Sequence, residues 1–161
     1  MMEIKVVNTD PGVGNQIMIG QAGFIKTAED LYEALIGVSP EIKFGLAFSE
    51  ASGPCLIRSE GNDESLRSVA EKISSDIAAG HSFVIVFKNA FPINVNNAVQ
   101  NVPEVISIFC STANSVQVMV GETEQGRGIL GVVDGYSPKG IEGLEDKAKR
   151  KKFLRDLGYK L

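Results

Sequence analysis

Few side chains in this sequence could do chemistry, and they fall into four short clusters. His81 is the only histidine. An imidazole can shuttle a proton near neutrality or accept a phosphoryl group. Downstream, Lys88 could balance the charge of a phosphate, and Asn89 and Asn94 flank Pro92. The other clusters are Glu50-Ala51-Ser52-Gly53, Thr112-Ala113-Asn114 and Asp134-Gly135-Tyr136-Ser137. Each follows an apolar run of strand length, where open α/β sheets place their ligands. Alone, each is an ordinary turn. Together they offer the hydroxyls, amides and carboxylates that suit a neutral polar ring system and ribose hydroxyls. Asp134 or Glu50 could also take Mg²⁺ through one carboxylate. The plainer alternative makes His81 a satisfied histidine at a strand start and Lys88 a solvated surface charge.

Other chemistries find little support. Gly126-Arg127-Gly128-Ile129-Leu130-Gly131 matches G-x-G-x-x-G, but its glycines interrupt an apolar run instead of following a strand and opening a helix. A glycine-rich strand with a close backbone approach accounts for it better than a dinucleotide site. No G-x-x-x-x-G-K-[ST] loop occurs. One histidine, two cysteines and no Cys-x-x-Cys argue against a dedicated metal site. Cys55 and Cys110 lie among apolar residues and read as reduced core thiols, which fits a cytoplasmic protein.

The elements that must position these groups follow from periodicity. Glu3 to Asn8 and Gln16 to Gln21 read as strands joined in a hairpin across Asp10 to Gly14. Thr27 reads as the N-cap of a helix carrying Leu31, Ala34 and Leu35 on one face. Ile42 to Phe48 and Cys55 to Arg58 read as a second hairpin. Asn62 caps a long helix with Leu66, Val69, Ala70, Ile73 and Ile77 at helical spacing, which stops at Gly80. Ser82 to Lys88 is a β-branched and aromatic strand, and Pro92 opens the next helix. Val105 to Cys110, Val116 to Gly121 and Gly128 to Val133 are three more strands. The tail from Glu142 to Lys160 reads as a surface helix docked by a narrow apolar stripe of Leu144, Phe153, Leu154 and Leu157. Helices interleaved with strands imply a layered α/β domain, its sheet mixed because of the hairpins.

Bulk properties agree with one globular domain over residues 1–161. The chain has 43% hydrophobic and 22% charged residues. No apolar run approaches the roughly 18 residues of a membrane span, and the N-terminal residues lack a signal-peptide pattern. A formal net charge of −4 argues against a nucleic-acid partner.

Several blocks resemble one family closely: Phe24 to Leu35 (FIKTAEDLYEAL), Phe48 to Gly53 (FSEASG), Asn89 to Asn94 (NAFPIN), Asn101 to Val105 (NVPEV), Thr112 to Asn114 (TAN) and Gly131 to Gly135 (GVVDG). They are similar to the adenosine-specific kinases, small archaeal and bacterial proteins, over nearly the whole chain. The resemblance implies a three-layer α/β/α domain, binding of adenosine or AMP, a link to histidine phosphorylation, and self-association as a trimer or hexamer. By that resemblance His81 is the phosphorylated histidine, with Lys88, Asn89, Pro92, Asn94, Ser52, Thr112 and Asn114 about the nucleotide. Glu50 and Asp134 are then candidates for general base or Mg²⁺ ligand, and a nucleotide is the phosphoryl donor. The rival reading is an adenosine- or AMP-binding sensor without turnover, and a third is a purely structural subunit with no pocket at the four strand ends.

One geometric expectation cuts across both readings. A strand of about seven residues at ~3.3 Å per residue puts His81 roughly 20 Å from Asn89. The two do not easily serve one pocket within one subunit. Either His81 reaches a site across a subunit interface, or it is structural.

Overall fold

The layers follow from how the central strands alternate. The computed structural model describes all of residues 1–161. In chain order the elements are β1 (Glu3–Asn8), β2 (Gln16–Ala22), α1 (Thr27–Ile36), β3 (Lys43–Ser49), β4 (Ile57–Gly61), α2 (Glu64–Ile77), β5 (Ser82–Lys88), α3 (Pro92–Gln100), β6 (Val105–Thr112), β7 (Val116–Glu122), β8 (Arg127–Asp134) and α4 (Leu144–Asp156). In β5, Phe83, Ile85 and Phe87 join one buried cluster while Val84 and Val86 join another. A strand flanked on both faces reads as a continuous apolar run, as this one does.

Five strands form the central sheet in the order β4-β3-β5-β2-β6. The phenylalanine face, with Phe44, Phe48, Phe83 and Phe87 fully buried, packs on α1 and α3 through Leu31, Leu35, Val95 and Val99. Each such ring contributes about 1.5–3 kcal/mol by leaving water. The opposite face carries aliphatic residues, Ile17, Ile19, Ala47, Val84 and Val86, and takes α2 through Leu66, Ala70, Ile73 and Ile77. It also takes a three-stranded sheet of order β1-β7-β8 through Val116, Val118 and Val120. At Gly45 the closeness of α2 is explicit, because a Cβ there would stand 2.0 Å from the Arg67 amide nitrogen.

The layered α/β class stands, and the mixed sheet resolves into two sheets in which every strand pair is antiparallel. The β3–β4 hairpin forms as expected. The hairpin expected from β1 and β2 does not: β1 pairs with β7, and β2 lies between β5 and β6. β2, buried at every position but Gln21, needs cover on both faces, whereas β1 exposes Ile4 and Val6, so the two belong in different sheets.

Local signals shift in four places. Thr27 is the first helical residue, not the cap, and its hydroxyl donates to the Phe24 carbonyl at 2.6 Å. Asp63, not Asn62, caps α2 by accepting the Leu66 N–H at 3.1 Å. Asn62 instead ties the hairpin base, accepting from Phe44 N–H and donating to the Ile42 carbonyl. α2 ends at Ala78 in the left-handed conformation, two residues before Gly80. Cys110 is buried as expected, but Cys55 is exposed in the β3–β4 loop.

The helix α4 forms, yet it is not docked. None of its residues is buried, and from Tyr136 to the C-terminus only Leu154 is partly shielded. The stripe of Leu144, Phe153 and Leu157 faces solvent because the body offers it no surface in the same chain.

Candidate functional site

A cleft of about 830 Å³ opens at one end of the central sheet. Three segments wall it: the β3–β4 loop from Ser49 to Ile57, the end of α2 through Gly80, and the β7–β8 turn from Gly121 to Leu130. Sequence places these segments closely. Gly80 lacks a Cβ where one would come 3.0 Å from that of Ala51, which lets the α2 exit press against the β3–β4 loop. Ser49 and Ser74 exchange a buried hydroxyl hydrogen bond at 2.9 Å behind the wall. Gly126 and Gly128 have nothing within 4 Å of a would-be Cβ, so they show bare backbone to open space. The close backbone approach expected of this glycine motif is therefore absent. The Gly126 carbonyl instead closes the β7–β8 turn, accepting from Thr123 N–H at 2.8 Å.

Two charged residues in the walls are committed to structure. Glu50 accepts from Leu56 N–H with one oxygen at 2.7 Å and from Arg58 with the other at 2.8 and 2.9 Å. The Leu56 amide first, and the Arg58 guanidinium second, hold its carboxyl below the usual glutamate range. Arg127 is shared between Glu122 and the last carbonyls of α2, donating to Asp76 O at 3.1 Å. A cation there suits the negative end of the helix. Lys5 at 2.8 Å and Arg127 together lower the Glu122 carboxyl, Lys5 being the larger influence.

His81 stands next to this cleft without lining it. Its N–H donates to Ser49 O at 2.8 Å and its carbonyl accepts from Ala22 N–H at 2.9 Å, so the backbone is fixed between β3 and β2. Its φ of +62° is a left-handed conformation that costs a non-glycine residue free energy. The ring stacks on Phe48, centroids 5.8 Å apart. Phe48 belongs to the α1 and α3 layer, whereas the cleft opens on the α2 side.

The remaining residues expected at the site gather at the opposite end of the sheet. Asn89, also left-handed at φ +62°, donates to Glu41 O at 3.2 Å. Asn94 accepts from Phe91 N–H at 2.8 Å and so caps α3, which Pro92 opens. Lys88 lies 3.7 Å from Asp63. Thr112 accepts from Asn114 N–H at 3.0 Å, and Asn114 donates to Asp134 at 3.1 Å across the β6–β7 and β8 ends. β8 runs from Arg127 in the cleft wall to Asp134, which separates them by roughly 23 Å at ~3.3 Å per residue. Of the expected residues, only Glu50 lines the cleft, with Ser52 in the same loop and His81 beside it. The strand ends thus form two groups, not one.

No cluster of three or more His, Cys, Asp or Glu side chains is placed to hold a metal ion. Glu50 has both oxygens engaged, so the carboxylates present do not fit a resident Mg²⁺ at the cleft.

The family model for adenosine-specific kinases matches residues 6–160. The chain belongs to the adenosine-specific kinase family. A solved structure, the PH1918 protein from Pyrococcus horikoshii OT3, is 44% identical, with a TM-score of 0.96 over 100% of this chain and 99% of that one. No curated protein matches the chain.

For this member of the adenosine-specific kinases, sequence reasoning missed the β7–β8 wall: Thr123, Gln125 and Arg127. The glycine motif was the available signal. It fails as a dinucleotide fingerprint, yet unhindered glycines flanking an arginine mark a backbone that a ligand can approach. Ser75 and Ala78 carried no signal, since small residues late in a helix usually report packing alone.

Proposed function

We propose that the chain binds adenosine or AMP in the cleft between the β3–β4 loop, the end of α2 and the β7–β8 turn, and transfers a phosphoryl group to adenosine. The observation that carries this reading is a cleft of about 830 Å³ beside the sole histidine of an adenosine-specific kinase family member. Its volume lies within the ~300–1,000 Å³ of small-molecule sites. Hydroxyls of Ser75 and Thr123 and the amide of Gln125 are suited to ribose and base.

In this scheme a nitrogen of neutral His81 attacks the terminal phosphorus of a nucleoside triphosphate. An N–P bond forms, the P–O bond to the leaving diphosphate breaks, and the imidazole carries the phosphoryl group. The adenosine 5′-oxygen then attacks phosphorus, the N–P bond breaks, and the hydroxyl proton passes to solvent, giving AMP and the original imidazole. The ring must first leave Phe48 by rotation about Cα–Cβ to reach the cleft edge. Lys88, Asn89, Pro92, Asn94, Thr112, Asn114 and Asp134 would contribute only from a neighbouring subunit of a homo-oligomer.

One observation favours a second reading, an adenosine or AMP sensor without turnover. The cleft's Glu50 is doubly hydrogen-bonded with a lowered pKa, and so is a poor general base. Titration calorimetry with adenosine and AMP, followed by transfer from labelled ATP, separates the two. Binding with AMP formation supports the kinase, binding alone supports the sensor, and absence of binding removes both.

A further inference from the structure

A ligand that carries a phosphate needs a positive charge nearby, and Arg127 is the only cationic side chain lining the cleft. Two of its guanidinium nitrogens are engaged by the protein. Nε donates to a Glu122 carboxylate oxygen, and Nη1 donates to Asp76 O at 3.1 Å and to Ile77 O at 3.5 Å. The third, Nη2, has no hydrogen-bond partner in the chain and is not a buried atom. A guanidinium is planar, so holding Nε and Nη1 also fixes where the two N–H groups of Nη2 point. The Arg127 backbone is held as well, by a bridge to Ala79 that ties β8 to the exit of α2.

The charges around Arg127 decide what it can bind. Lys5 donates at 2.8 Å to the other oxygen of Glu122, so one carboxylate faces two cations. Glu50 is paired with Arg58, and Asp76 with Lys72 at 2.7 Å. Arg127 also lines a second hollow of about 540 Å³, walled by Asp76, Glu122 and Glu124. Those carboxylates repel an anion from the second hollow. Glu124 does not line the cleft, so an anion is admitted on the cleft side of Arg127.

We propose that Nη2 of Arg127 binds the 5′-phosphate of a nucleoside monophosphate, and so sets a preference of the cleft for AMP over adenosine. Glu122 and the last carbonyls of α2 are then the positioning groups, holding the fork with its third nitrogen free. This role for Arg127 rests on the cleft being the adenosine or AMP site proposed above, and adds the group that tells the two ligands apart.

Titration calorimetry with adenosine, AMP and a non-hydrolysable ATP analogue, on wild type, Arg127→Gln and Arg127→Lys, tests this. Wild type is expected to bind AMP about 10- to 100-fold more tightly than adenosine, the range of a hydrogen bond to a charged group. Arg127→Gln is expected to abolish that margin. Arg127→Lys keeps a cation beside Glu122 but lacks the planar fork, and is expected to lose most of the margin with its unfolding midpoint unchanged. Should Arg127→Gln fail to fold, the lysine variant carries the same comparison. A wild type with no margin, or a margin kept in full by either variant, overturns the proposal. Equal losses for adenosine and AMP also overturn it, because a purely structural arginine would give them. Loss confined to the ATP analogue overturns it too, since Nη2 would then serve the phosphoryl donor. Adenosine binding without the margin leaves the adenosine site standing, whereas absence of adenosine binding removes that site and this role together.

Discussion

The imidazole of His81 lies over the ring of Phe48 with planes 23° apart, and this contact holds the ring away from the cleft. Stacked ring pairs are worth about 0.5–1.5 kcal/mol beyond area burial. If phosphorylation requires the ring to swing, Phe48→Leu should speed labelling of His81 from ATP by about 2- to 10-fold while lowering stability. Unchanged or slower labelling, with the fold intact by circular dichroism, would remove the swing from the mechanism.

Replacing His81 itself separates chemistry from binding. His81→Ala is expected to lower AMP formation by about 10²-fold or more, as loss of a nucleophile or proton carrier does. Adenosine affinity by calorimetry should hold within a few-fold, because the ring points to the Phe48 side. Full activity in the variant would leave His81 a structural residue.

Gly45→Ala tests the contact between α2 and the sheet. The added methyl would overlap the Arg67 amide and Leu66 carbonyl carbon, both backbone atoms of α2 that no side-chain rotation can move aside. A loss of about 2–3 kcal/mol in urea unfolding is expected. A loss under half a kilocalorie would mean that α2 rides on the sheet more loosely than described.

The two cysteines should label in sequence. Burial pushes the Cys110 thiol up to about 11, while Cys55 is exposed. At pH 8 a thiol reagent should therefore modify one cysteine per native chain and two after denaturation, with Cys55 identified by peptide mapping. Rapid native modification of Cys110 would contradict its packing against the β2 strand.

Acid should destabilise the cleft walls in a definite direction. Glu50 and Glu122 have lowered folded-state values, so the unfolded chain binds more protons than the folded one. Their contribution is complete above the ordinary glutamate value of 4.5 and fades as pH falls below it through the folded values. The melting temperature should accordingly drop with pH in that window, and Glu50→Gln should flatten part of the slope. A slope unchanged in the variant would place the acid sensitivity elsewhere.

Much of the fold was legible because its signals are local. β5 was found at its full extent from seven consecutive strand-forming residues, and Pro92 marked the start of α3. Pairing was not legible for β1, since its partner β7 lies more than a hundred residues away and nothing in Glu3 to Asn8 encodes that distance. The turn after β1 suggested the nearer strand β2 instead. Of the site, the separation of His81 from Asn89 was legible from strand length alone. The cleft was not, because its β7–β8 wall comes from residues whose only marks are glycine and small polar side chains.

The left-handed residues at either end of β5 have a consequence for which changes the strand can accept. His81 and Asn89 close the strand on both sides, so its seven residues form a cassette of fixed length. Insertion of one residue would turn Phe83 and Phe87 towards the thin side of the sheet, where α2 lies against bare Gly45. Substitution can therefore change the chemistry at either end of β5, whereas a change in the span between the two ends would cost the core its register.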